Sequence, residues 1–179
     1  MSVKKDLYLA VKKRVLNTTS IQHFALYNSQ FEELDKEDAF PFPCVFLEFS
    51  DLQYETVAKG GQKGDFEIRL HVGFESIMTE DLEILSIIDD LHEKLQGFTN
   101  SESSGIVIDD PKDYFLPLNR VSESQDTNHD NITVWQIDYS TFVHDNSGHV
   151  NNGLIKTKLT TLDVDLDPDT YKPRLPHLP

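Results

Sequence analysis

A chain of 179 residues, 38% hydrophobic and 10% aromatic, is most economically one domain whose core is carried by Phe, Tyr, Leu, Ile and Val. Its 31 acidic and 16 basic side chains leave a net charge of −15, which argues against general nucleic-acid binding, because that needs clustered Lys and Arg to displace counterions. One cysteine excludes an internal disulfide or a multi-cysteine zinc site, and no run approaches the ~18 apolar residues of a membrane span.

In chain order, residues 3–16 predict a helix. Val3, Leu7, Ala10, Val11 and Val15 recur at three- and four-residue spacing, with the lysines mostly off that stripe. The charges in MSVKKDLYLAVKKRV deny it the continuous apolar core of a secretory signal, so the expected compartment is cytosol-like. Asn17-Thr18-Thr19-Ser20 then favours a turn. IQHFALY (21–27) is strand-compatible, and the acidic stretch 28–39 reads as a loop with room for one helical turn. Pro41 and Pro43 preset an extended backbone ahead of CVFLEF, whose aromatics and β-branched Val45 have the texture of a well-covered strand. GGQKG at 60–64 closes a hairpin between 51–58 and 65–75. In its second arm Phe66, Ile68, Leu70, Val72 and Phe74 alternate with Glu67, Arg69, His71 and Gly73, which predicts one buried and one wet face.

Residues 79–96 predict the second helix, with Thr79 as N-cap, Glu80 and Asp81 at its positive start, and Gly97 as its stop. Leu82, Leu85, Ile88, Leu91 and Leu95, with Ile84 and Ile87 beside them, make a broad apolar face. Ile106-Val107-Ile108 is a short apolar piece between polar loops. Residues 114–121 and 132–143 read as a long hairpin around the polar loop SESQDTNHDN, with Trp135, Ile137, Tyr139, Thr141 and Val143 sharing a face. The expected fold class is therefore α/β in the α+β sense: a mainly antiparallel β-sheet packed by two helices, one domain over residues 1–145. Residues 146–179 form a C-terminal arm in which KTKLTTLDVDLD alternates apolar with polar groups. Two readings of the arm stay open, an extended strand added to a neighbouring copy's sheet or a loosely ordered tail.

The search for chemistry comes back empty. Cys44 follows a proline at the start of an apolar strand with no local base to activate it, and reads as structural. The seven histidines show no HExxH and no pair at ligand spacing; His144 and His149 flank a polar loop that reads as solvated. DVDLDPD (163–169) resembles a calcium loop but has Pro168 at the sixth position and Arg174 at the twelfth, where an EF-hand needs Gly and Glu. GGQKG is not followed by a helix and matches no phosphate-cradling pattern. No catalytic residue, cofactor-binding residue or metal ligand is assigned, and the cofactor expectation is none.

Charge is unevenly spread. Residues 1–20 carry Lys4, Lys5, Lys12, Lys13 and Arg14 against Asp6, a local net of +4 that leaves −19 on the remainder. Either the basic helix is a solvated face, or it docks against the acidic face of a neighbouring copy.

An amphipathic opening helix (LYLAVKKRV), the Pro-aromatic strand FPFPCVFLEF, and GDFEIRLHVGFES ahead of an acidic-capped helix together resemble the tail terminator, or tail-completion, proteins of long-tailed bacteriophages and prophages. The resemblance covers residues 3–143. It implies an α/β sandwich-like fold and a hexameric ring that stops the tail tube at its proper length and joins it to the head–neck. It further implies three partners, namely other copies of itself, the tail-tube protein and a neck or connector protein. DNA would pass through the ring without specific binding, and no membrane is involved. The location implied is the host bacterial cytoplasm before assembly and the virion tail after it. Candidate subunit or tube contacts are Lys12, Lys13 and Arg14 on the first helix and Gly60, Gly61 and Lys63 in the glycine-rich loop. Two alternatives remain: another virion ring component (head-completion, neck or baseplate), and a metal-dependent hydrolase using scattered Asp, Glu and His.

Overall fold

Residues 3–32, 40–57, 61–75, 80–100, 114–127, 129 and 131–145 are described by a computed structural model. Within them two helices, α1 (Val3–Thr18) and α2 (Asp81–Leu95), pack on one mixed sheet. Its strands are β1 (His23–Leu26), β2 (Cys44–Leu52), β3 (Glu55–Thr56), β4 (Gln62–Glu75), β5 (Tyr114–Phe115), β6 (Asn119–Asp126) and β7 (Ile132–Asp145). The chain adopts the expected α+β fold, mainly sheet.

The sheet is ordered β1-β2-β4-β7, with β5 and β6 in succession along the far side of β7 and β3 continuing β2 along β4. Only β1 and β2 run parallel among the described strands, and the long connection between them is what a parallel pair requires. β4 and β7 pair along their full 14 residues, from Gln62 opposite Asp145 to Glu75 opposite Ile132, and form the spine of the molecule.

Period-two alternation on these strands sorts their side chains into two layers. Toward the helices point Val45, Leu47, Phe66, Ile68, Leu70, Val72, Ile137 and Tyr139, all fully buried. α1 meets them with Val3, Leu7, Val11 and Val15, and α2 with Ile84, Ile88, Leu91 and Leu95. Truncating any one of these leucines or isoleucines to alanine costs about 2–5 kcal/mol, since the close-packed layer cannot collapse around the hole. Of the apolar face expected on α2, Ile88, Leu91 and Leu95 are buried together with Ile84, whereas Leu82 and Leu85 lie exposed at its edge.

Local corrections have plain causes. Thr79 lies outside the described residues, and the N-cap position of α2 is Glu80, whose side chain makes no capping bond. Gly97 does end α2: it adopts φ 75°, and its N–H donates to Leu118 O at 2.8 Å, tying the helix end to the last hairpin. That hairpin is longer than expected, for β6 runs to Asp126 through residues read as polar loop. β6 is an edge strand exposed along most of its length, so no apolar alternation marks it. Pro117 sits on this edge between β5 and β6, where its missing N–H costs no ladder bond, while Leu116 N–H still donates to Phe142 O at 2.8 Å. The face of β4 expected to be wet is dry at His71 and Gly73, because Tyr27 stacks on the His71 ring and Phe31 covers Gly73.

Candidate interaction surfaces

α1 presents a basic outer face because its buried stripe consumes the opposite side. Lys4, Lys5, Leu9 and Lys13 are exposed, and Lys12 is half-buried with its Nζ 5.8 Å from the centroid of the Tyr8 ring. Arg14, grouped with these lysines by sequence, has another task. Its Nε donates to Lys94 O at 3.0 Å and its guanidinium lies 5.4 Å from the centroid of Phe98. A cation at the C-terminal end of α2 is electrostatically favoured, so Arg14 clasps the two helices together. Lys12 and Lys13 are the outward members of the trio.

The expected hairpin is present, but Gln62, Lys63 and Gly64 of the segment read as its loop belong to β4. Val57 N–H donates to Gly61 O at 2.8 Å, and Lys63 pairs with Glu55 at 3.5 Å across β3 and β4. Gly61 is buried, and Gly60 lies outside the described residues. Gly64 has left the loop and sits inside β4, pressed against the backbone of Gln53. Opposite Lys63 stands His144, whose imidazole is pushed toward the neutral form by burial and by the Lys63 charge. The described residues among those selected from sequence thus fall on two elements, α1 and the hairpin.

The sheet face turned away from the helices carries a polar ladder that strand register builds. Glu48 on β2, Arg69 on β4, Asp138 on β7 and Ser122 on β6 are successive partners across four strands. Arg69 grips Asp138 with two bonds, Nε to Oδ1 at 2.7 Å and Nη2 to Oδ2 at 3.2 Å, and Ser122 Oγ donates to Oδ2 at 2.6 Å. Chiefly through the Arg69 bonds, the Asp138 carboxyl is held below its ordinary range. His71 Nε2 lies 2.8 Å from Glu48 Oε2; a carboxylate only accepts, so this nitrogen carries the proton. Burial nonetheless lowers the affinity of His71 for a second proton, with Glu48 opposing. Tyr27 stacks on its ring at 3.8 Å and 6°. Farther along the face, Gln136 donates to Asp126, and His129 lies 3.5 Å from the same carboxylate.

From sequence, Glu48 is a carboxylate within an apolar run that must face water, a partner subunit or an Arg, and neither Asp138 nor Ser122 is singled out there. The signal was the outward phase of Arg69 and Asp138; what sequence lacked was the register that sets them side by side.

Cys44 is fully buried, its Sγ 3.8 Å from Gly73 O, and burial pushes the thiol up to about 12. Such a thiol is inert as a nucleophile at neutral pH. Among the described residues, no three His, Cys, Asp or Glu side chains converge as metal ligands. Among them, too, no helix is long and apolar enough to cross a membrane. No protein-family model matches the chain, and no curated protein matches it either.

Proposed function

We propose that this chain is a non-enzymatic assembly protein of a phage or prophage tail, a ring that ends the tail tube and offers a docking face to the head–neck. The observation that carries the reading is the layered order helix, strands, hairpin, helix, hairpin, with both helices on one face of a mainly antiparallel sheet. That order accompanies the sequence texture of tail terminator proteins. The ladder on the opposite face supports the reading, since Arg69 spends its donors on Asp138 and His71 meets Glu48. Bonds of this kind fix strand register and present a patterned surface for recognition. An acidic body around a central passage would repel DNA phosphates and let the duplex slide.

In this reading the protein is free in the bacterial cytoplasm and joins the virion at the end of tube growth. Native mass spectrometry tests it: the expected species is a closed ring of six 20.5 kDa protomers. A protein that stays single both alone and with tail-tube protein counts against it. A ring that binds a connector but ignores the tube moves the assignment to another neck or head-completion component.

A further inference from the structure

The outer faces of α1 and α2 are oppositely charged, and among the described residues neither is neutralised by the rest of the chain. α1 exposes Lys4, Lys5 and Lys13, none of which enters an ion pair among the described residues. Across residues 80–95 six acids face one lysine, and Lys94 is already engaged by Asp90 and Glu93 on its own helix. Glu83 and Asp89 are exposed and, among the described residues, make no ion pair. Each charged face also carries uncovered apolar surface: Leu9 is 46% exposed between Lys5 and Lys13, one helical turn to either side. On α2, Leu82 is 78% and Leu85 45% exposed. Large apolar side chains with opposite-sign rims on two helices of 16 and 15 residues are matched halves of one contact.

We propose that a second copy of this chain is the occupant: the outer face of α1 on one protomer docks on the outer face of α2 on the next, with Leu9 seated against Leu82 and Leu85. The two faces cannot satisfy each other at home, because α1 and α2 of one chain meet through their inner sides and the Arg14 clasp. Nor can like helices pair, since α1 on α1 or α2 on α2 sets like charges together. A body of net charge −15 repels its own copies, so self-association needs a local patch of the opposite sign, and α1 supplies it. A contact between different faces of identical chains repeats from copy to copy and closes into a ring when the rotation allows. This inference deepens the ring reading by naming the subunit contact.

Charge exchange tests it by sedimentation velocity at low salt and at 0.5 M salt. One variant carries Lys5→Glu and Lys13→Glu, the other Asp89→Lys and Glu93→Lys; all four side chains are exposed, and unchanged circular dichroism confirms folding. The expected result is self-association that weakens with salt and falls by about 100-fold in each variant alone. Mixing the two variants, whose helices are then complementary again, restores it. Variants that assemble as the natural chain does, or a mixture that fails to recover, overturn the contact. So does a natural chain that stays monomeric at every concentration and salt. The two claims separate cleanly. An assembly of two copies that both reversals break keeps the contact and sinks the ring, whereas a tube-capping ring indifferent to both reversals does the opposite.

Discussion

Gly64 is where the hairpin beside the candidate tube contact leaves no room. It lies within β4, and a Cβ built there would land on the carbonyl oxygen of Gln53, with the carbonyl carbon at 2.8 Å and Tyr54 Cα at 3.1 Å. The obstacle is backbone, so no rotamer change relieves it; the segment carrying Gln53, between β2 and β3, must move off β4. Gly64 has no positive φ, so alanine fails here for want of space and not of backbone freedom. Moving that segment sacrifices the bond from Gln53 N–H to Asp65 O at 3.0 Å and strains the neighbouring Lys63–Glu55 pairing. One lost backbone bond at about 1 kcal/mol plus overpacking at about 2 gives Gly64→Ala a cost of about 3 kcal/mol. For a domain of this size that lowers Tm by roughly 6–12 °C. Gly73→Ala is the control. There the added methyl meets side chains and not backbone, Phe31 ring carbons at 2.6 and 2.7 Å and Cys44 Sγ at 2.9 Å, and the cost is about 1–3 kcal/mol. Urea denaturation of both variants decides the matter. A Gly64→Ala protein within about 0.5 kcal/mol of the natural chain, or less affected than Gly73→Ala, refutes the close approach of β4 to Gln53.

Further outcomes follow from the buried polar groups. Tyr139 is fully buried and its hydroxyl has no hydrogen-bond partner among the described residues, so Tyr139→Phe leaves stability unchanged or raises it by about 1 kcal/mol; a loss of that size in urea would show a missing partner. His71 is harder to protonate folded than unfolded, so its contribution is complete above the unfolded value near 6.5 and is lost as pH falls below it. His71→Gln therefore flattens the stability profile just below pH 6.5, and an unaltered slope there contradicts the burial of this ring. Asp138 acts lower on the scale: its depressed carboxyl stabilises above the unfolded value near 3.8, and that share is lost as pH falls through the folded value. Asp138→Asn should remove this acid limb, and a limb that persists assigns it to other carboxylates. Cys44 should resist a thiol reagent in the native protein and react promptly in urea; rapid native labelling would place the thiol at the surface.

Much of the fold was legible because its strongest signals are local. The stripe of Val3, Leu7, Val11 and Val15 and the alternation from Phe66 to Phe74 each bury one face, and burial is what periodicity reports. β6 escaped because an exposed edge strand has no buried face to betray it. Arg14 was misgrouped for a related reason: spacing locates a cation on a helix, but not the carbonyl of Lys94 from an element 80 residues away. The Glu48–Arg69–Asp138–Ser122 ladder was half visible, its members outward-facing in sequence and joined only by register. Leu82 and Leu85 belong to the same broad apolar face as Ile84, Ile88, Leu91 and Leu95, and only packing reveals that the first two are left outside the core.

Electron microscopy of tail tubes grown with and without this protein tests the central claim most directly. The account predicts a ring seated on one end of each tube and tubes that stop lengthening once it is present. Tubes that grow with bare ends at saturating protein would contradict it.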